Sequence, residues 1–452
     1  MAFEELPATR TALASADSVN QEVGLMIRRL ALSVLAAVLL SAAAATSAPA
    51  GPRPPAAVAN PQVVLDWNAT AAATLLASGK PQPESMVYIG LTQAAVYDAV
   101  IAIEGGFEPY LIVPGVPPGA SPEAAVAAAA YGVLVNYFPA QKPALDVAYT
   151  ASLAGIPDGP AEDRGVLVGQ QVAAGLIAAR IDDGRDDLEP FTPTPEPGVW
   201  RPTPPAFLAA QTPWMATMRP LLLRNPAQFR PGPPPTLNSF RYARDFNETR
   251  LYGARNGSLR TAAQTETARF WTELVHTQYN RTLRDLVTRL GLDLRGAARA
   301  LAVGTTVIAD SFIACWDAKY AYGFWRPVTA IPAGDSDGNR RTEADPLWEP
   351  LAPTPNHPEY PSAHTCGTAG LGATAAALVG RDRIELDVSS TVTGTTRRFE
   401  RVGDLERDIE DARVYIGYHW RSASEAGSRL GEQVAEWALR RYFRATHHSS
   451  GE

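Results

Sequence analysis

Between Gly184 and Pro235 proline recurs so densely that neither a helix interior nor a central strand can persist. Proline lacks the amide hydrogen that both structures use, and its ring clashes with the preceding helical turn. The tract is therefore expected to be a long ordered loop crossing the surface, and it divides the chain into two blocks. On its N-terminal side, residues 61–78, 84–104, 121–137, 140–154 and 161–182 repeat apolar residues at three- and four-residue spacing between Gly and Pro punctuation. That period predicts helices. On the C-terminal side it runs from Thr261 through Val287, then through RGAARALAVGTTVIADSFIACWDAKYAYGFW to Pro327. A further helix should begin at Ser362 to His364 and run to Gly380, and the last should run from about Arg407 through Arg441. Strand signals are confined to one hairpin near VSSTVTGTTRRF. The expected fold is all-α, one large helical-bundle protein with few or no strands.

The N-terminal end reads differently. From Met26, two arginines precede an Ala-rich apolar run and then small residues in Ala-x-Ala order, the pattern of a secretory signal peptide over residues 26–50 with cleavage between Ala45 and Ala50. Residues 1–25 lack that pattern and read as an extension or a mis-called start. The other reading of the apolar run is a single N-terminal anchor helix. With cleavage, the protein is expected to be secreted, with a linker at 51–60, a catalytic domain at 61–445 whose site-bearing core is about 300–440, and a disordered tail at 446–452. No other stretch is long and apolar enough for stable membrane insertion. The formal net charge of -7 and pI near 5.5 argue against nucleic acid or anionic membrane as a partner, since both select for excess Lys and Arg. Any bound anion must be met by a local cluster of cations. Cys315 and Cys366 are the two cysteines, and their positions leave open whether they form a disulfide. Nothing in the sequence fixes an oligomeric state.

Three stretches carry most of the unusual polar chemistry: KYAYGFWRP at 319–327, PSAH at 361–364 and RVYIGYH at 413–419. Lys319 and Arg326 are seven residues apart, about 20° from alignment on a continuous helix, so both could face one cleft. The aromatic residues between them imply burial, and buried cations need an anion. Ser362 stands where an N-cap would precede the small-residue run TCGTAGLGATAAALVG, leaving the amides of Ala363 and His364 at a positive helix end. Arg413 and His419 are six residues apart and converge only if the arginine lies at or before the helix start and the chain turns near Gly417. Taken singly, each motif also fits a surface ion pair, a plain cap or a packed histidine. Taken together, three cations, a hydroxyl, helix amides and two histidines are the requirements of a highly charged tetrahedral oxyanion. Of the four histidines outside the tail, His364 and His419 fall in these motifs, His357 lies four residues before PSAH, and only His276 is remote from them.

The order K-x6-R-P, P-S-x-H, R-x5-H resembles the vanadium-dependent haloperoxidases and the type 2 phosphatidic acid phosphatase superfamily that shares their anion site. The stretches GVWRPTPPAF, FRPGPPP and RTAAQTETARFW look like the bacterial haloperoxidase-type members, so the resemblance spans roughly residues 60–440. It implies vanadate as cofactor, with phosphate able to occupy the same site. Lys319, Arg326 and Arg413 would bind its oxygens, Ser362 and the amide of Ala363 would hydrogen-bond them, His419 would bond the metal, and His364 would be the acid-base residue. His357, seven residues before His364, stands where the family tends to carry Phe in chloroperoxidases and His in bromoperoxidases. It leans toward bromide or iodide, with Trp316 as the opposite wall of the halide approach. His357 was expected to give nothing to the anion itself.

Three positions depart from the family pattern. Ala363 replaces a glycine, Ala412 a serine, and Arg421-Ser422 stand where an aspartate often follows the metal-binding histidine. The implied partners are hydrogen peroxide and halide. The alternatives are a secreted acid phosphatase, acting on a phosphate ester with His419 as nucleophile, and a non-catalytic oxyanion-binding helical protein.

Overall fold

The computed structural model describes residues 60–187, 190–380 and 383–446. The expected signal peptide at 26–50, the expected extension before it, nearly all of the expected linker and the tail beyond residue 446 lie outside the described residues. Before the proline tract come α1 (Gln62–Ser78), α2 (Gln82–Glu104), α3 (Pro122–Tyr137), α4 (Lys142–Ala154) and α5 (Pro160–Ala179). After it come α6 (Phe240–Gly253), α7 (Ala262–Phe270), α8 (Val275–Arg289), α9 (Leu294–Tyr322), the single turn α10 (Pro327–Ala330) and α11 (Ala363–Val379). A hairpin of β1 (Arg383–Ser390) and β2 (Thr395–Arg401) leads into α12 (Val402–Tyr415) and α13 (Arg421–Arg441). The fold is all-α, with one two-stranded antiparallel sheet among the described residues.

Local chemistry sets several of the helix starts. Ser121, Ser239 and Asp293 accept hydrogen bonds from amides in the first turns of α3, α6 and α9, and Thr261 forms a reciprocal capping box with Gln264 at α7. Contrary to the sequence reading, two further stretches, α2 and α9, are apolar and long enough to cross a bilayer, but they are enclosed by other helices. A helix that is apolar all round belongs in a core, and these two pack on each other at its centre. Around them α3 packs on α5, and α11 packs on both α9 and α13.

The proline tract is not simply a surface loop, as the sequence suggested. Trp200, Trp214, Met215, Met218 and Leu221 to Leu223 are buried. An irregular segment can enter a core only if its amides find acceptors. Asp310 on α9 supplies them, its two oxygens accepting from the amides of Leu221, Leu222 and Leu223 at 2.7 Å each. Asp98 on α2 does the same for Tyr110, Leu111 and Ile112.

Two expected helices are broken. The run from Thr261 divides at Trp271, where Thr272 Oγ1 donates to the Arg269 carbonyl and competes with the helical ladder. The last helix divides at Ile416–Trp420, where Gly417 adopts φ +81°. A Cβ there would sit 2.7 Å from the Gly253 carbonyl oxygen, so only glycine allows both the turn and the close approach.

Candidate functional site

Lys319 lies in the last turn of α9, which ends at Gly323 in the left-handed region (φ +53°). The chain then runs extended through Arg326, which precedes α10 with φ -85° and ψ 153°. Lys319 and Arg326 are therefore not two turns apart on one helix. Proline at 327 disfavours helical geometry in the residue before it, and the glycine redirects the chain so that Arg326 re-enters the same region from another side.

The Arg326 guanidinium is fully buried. Its Nε donates to the His357 carbonyl at 2.9 Å and Nη1 to the Tyr418 carbonyl and to His419 Nε2, both at 3.0 Å, while Nη2 lies 3.0 Å from Nδ1 and 3.4 Å from Nε2 of the His357 ring. Lys319 Nζ donates to the carbonyls of Pro358, Glu359 and Pro361 at 2.8, 3.0 and 2.5 Å. Those bonds clamp the loop just before Ser362. Burial lowers the Lys319 ammonium to about 8, and lowers Arg326 and Arg413 to about 10.

Arg413 does not precede a helix, as its convergence with His419 seemed to need; it sits in the last turn of α12, and His419 lies beyond it in the Gly417 turn. The Arg413 carbonyl accepts from the amides of Tyr418 and His419, which folds the turn back. Its Nη1 donates to the Trp271 carbonyl, a group left free by the break between α7 and α8. Its Nε, though buried, has no partner.

Ser362 precedes α11 in N-cap position, but its hydroxyl caps nothing. The Oγ is buried without a partner, while its own amide donates to the Ala423 carbonyl of α13. His364, in the first turn of α11, is the most exposed of the set. Burial, followed by Arg413, Lys319 and Arg326, holds its imidazole well below the ordinary histidine range. The same cations, with Arg326 foremost after burial, do so for His419. Both rings are neutral near pH 7. His364, His357, Trp316, Phe312 and Ala363 line a cavity of about 60 Å³, with the His357 and Trp316 rings 4.8 Å apart.

Vanadate fits this donor set. A buried hydroxyl and a buried guanidinium nitrogen that the protein leaves unpaired require an outside partner. With three cations beside them they suit an anion, and His419 Nε2, 3.0 Å from Arg326 Nη1, offers a nitrogen lone pair for a metal.

Residues 299–448 match the family model for the second helical-bundle domain of VCPO. The vanadium chloroperoxidase of Curvularia inaequalis is 26% identical over 171 residues, a match that spans 27% of this chain and 27% of that enzyme's length. Over that C-terminal third the chain is similar to the vanadium chloroperoxidases. A bacterial vanadium-dependent iodoperoxidase of known structure superposes with a TM-score of 0.73 at 21% identity, covering 88% of this chain and all of that one. A bacterial vanadium-dependent chloroperoxidase gives 0.64 at 19% identity, covering 88% and 96%. At such identities these two neighbours carry the haloperoxidase fold to this chain, and their halides remain their own.

One residue of the site escaped the sequence reading. Glu359, fully buried, accepts at Oε1 from His419 Nδ1 at 2.9 Å and from the Trp420 amide at 3.0 Å. Burial pushes its carboxyl up to about 8 against the pull of Arg326 and Lys319. The available signal was an acid placed between prolines in a stretch otherwise occupied by anion-binding motifs. Cys315 and Cys366 are both buried free thiols, and Cys315 Sγ donates to the Pro361 carbonyl at 3.6 Å.

Proposed function

We propose that this protein is a secreted vanadate-dependent haloperoxidase that oxidises bromide or iodide with hydrogen peroxide to hypohalous acid. The observation that carries this reading is the cavity in front of His364. Walled by Trp316, Phe312, His357 and Ala363, it gives His364 a partly apolar approach suited to peroxide and a halide ion. Export follows from the signal-peptide pattern at 26–50.

The residues divide the work. Lys319, Arg326 and Arg413 neutralise the anion's charge, and Ser362 Oγ with the first amides of α11 holds its remaining oxygens. His419 Nε2 is the nitrogen that would bond the metal. The chemistry vanadate supplies when bound is Lewis-acid activation of peroxide toward halide attack, with no change of oxidation state. A ring nitrogen of His364, unprotonated because the cations depress it, takes the proton that peroxide gives up on binding and returns it to the leaving oxygen. Peroxide, halide and one proton thus become hypohalous acid and water. The apolar cavity wall strips water from the halide, which favours bromide and iodide, the more weakly hydrated halides, over chloride.

Two assays on the purified protein test the reading: peroxide-dependent bromination after vanadate addition, and phosphate release from an aryl phosphate. Bromination is the expected result. Phosphate release without bromination at any vanadate concentration would replace this reading with the phosphatase.

A further inference from the structure

The chain puts a carboxylate behind the metal-binding histidine, and its contacts fix the state of the ring. An arginine donates hydrogen bonds and accepts none. Because Arg326 Nη1 lies 3.0 Å from His419 Nε2, that nitrogen must carry the lone pair. The ring proton is then on Nδ1, which faces Glu359 Oε1 at 2.9 Å. Glu359 is itself immobilised. Its amide donates to the Phe324 carbonyl at 2.9 Å, its carbonyl accepts from Lys319, and its Oε1 also takes the Trp420 amide at the start of α13.

We propose that Glu359 is a positioning residue for the anion site. It holds the His419 imidazole with the proton on Nδ1 and the Nε2 lone pair toward the cations, and so favours an oxyanion that can bond to nitrogen, vanadate, over one held by charge alone, phosphate. A carboxylate accepting from the far side of a metal-binding imidazole fixes its orientation and raises its basicity, and losing such a partner typically weakens metal affinity about 10- to 100-fold. Oε1 accepts the ring proton's hydrogen bond whether or not the acid carries its own proton, so the effect reaches the anion through the ring nitrogen alone. Its removal should therefore weaken the nitrogen-bonding anion more than the other. The ligand named here rests on the vanadate reading of the pocket; the position of the ring proton does not.

The test compares the full chain with Glu359→Ala and Glu359→Gln. Binding of orthovanadate and of inorganic phosphate is measured by calorimetry, and the His419 ring nitrogens are followed by NMR of histidine-labelled protein. In the parent, Nδ1 should be protonated. Glu359→Ala should release the ring to a mixture of tautomers and lower the vanadate-to-phosphate affinity ratio by about tenfold or more. Glu359→Gln keeps an acceptor oxygen at almost the same place, so it should retain the Nδ1 proton and most of the ratio, and it serves if the alanine variant does not fold. A parent ring protonated on Nε2 would overturn the proposal. So would equal weakening of both anions, which is what loss of a plain anchor for α13 would give. A parent that binds phosphate and never vanadate would instead remove the haloperoxidase reading, and the ring nitrogens would still decide the role of Glu359.

Discussion

Nη2 of Arg326 lies 3.0 Å from Nδ1 and 3.4 Å from Nε2 of His357, so this histidine ring also packs against one of the cations that would hold the anion. Seen only as a neighbour of the PSAH turn, His357 had no stake in anion binding. His357→Phe should now do two things: shift the ratio of bromide to iodide turnover, and weaken vanadate binding. Hydrogen bonds to charged groups contribute about 1.5–3 kcal/mol, but Arg326 keeps its other acceptors, so a loss of about three- to tenfold is expected. Steady-state rates for three halides with a vanadate titration would check it. Unchanged values in both would leave His357 an ordinary loop residue.

The roles proposed for His364 and His419 should separate cleanly. His419→Ala removes the lone pair at Nε2 and should abolish vanadium binding. His364→Ala leaves the three cations and Ser362 in place and should bind vanadate while turnover falls by about 10²- to 10⁴-fold. Metal content after dialysis, set beside activity, distinguishes them, and equal loss of vanadium in both variants would contradict the assignment.

Gly427 on α13 packs directly beneath the anion turn. A Cβ there would lie 2.1 Å from Thr365 Oγ1 and 2.5 Å from the Ser362 carbonyl oxygen. Gly427→Ala should therefore push α11 and α13 apart at the turn, costing about 1–3 kcal/mol of stability and weakening anion binding out of proportion to the methyl group added. Denaturant unfolding and phosphate titration would show both effects. A variant with parental stability and affinity would mean that the helices separate freely here.

His276, remote in sequence from the site motifs, is buried in the first turn of α8 with neither ring nitrogen hydrogen-bonded. Burial alone lowers it to about 4. A group depressed in the folded state stabilises above its unfolded pKa and loses that contribution as pH falls through the folded value. The window runs from about 6.5 down to about 4, and the difference amounts to roughly 3 kcal/mol. Chemical denaturation at pH 7 and pH 4.5 should show the parent losing about 2–3 kcal/mol more than His276→Phe. Parallel losses in the two proteins would show that His276 plays no part.

The helical class was legible because its signals are local. Apolar spacing located α1 to α5 to within a few residues, and proline marked the interruption. The three anion motifs were legible as chemistry before they could be placed as geometry. What failed was geometry that depends on partners distant in sequence. The redirection at Gly323, the break at Trp271 and the fold-back at Gly417 each replaced a continuous helix, and each is held by contacts from elsewhere in the chain. The entry of the proline tract into the core was hidden for the same reason, since its acceptor, Asp310, lies 87 residues or more away. Glu359 was missed because an acid among anion-binding motifs is out of place in charge but has no role until the ring it faces is known.

Lys319 has three donors, and three carbonyls of one short loop take all of them. A pocket whose ammonium is already satisfied by its own walls does not wait for a ligand to acquire its shape. The chain can finish folding first and be charged with its anion later, and the anion can be withdrawn and restored without the chain unfolding.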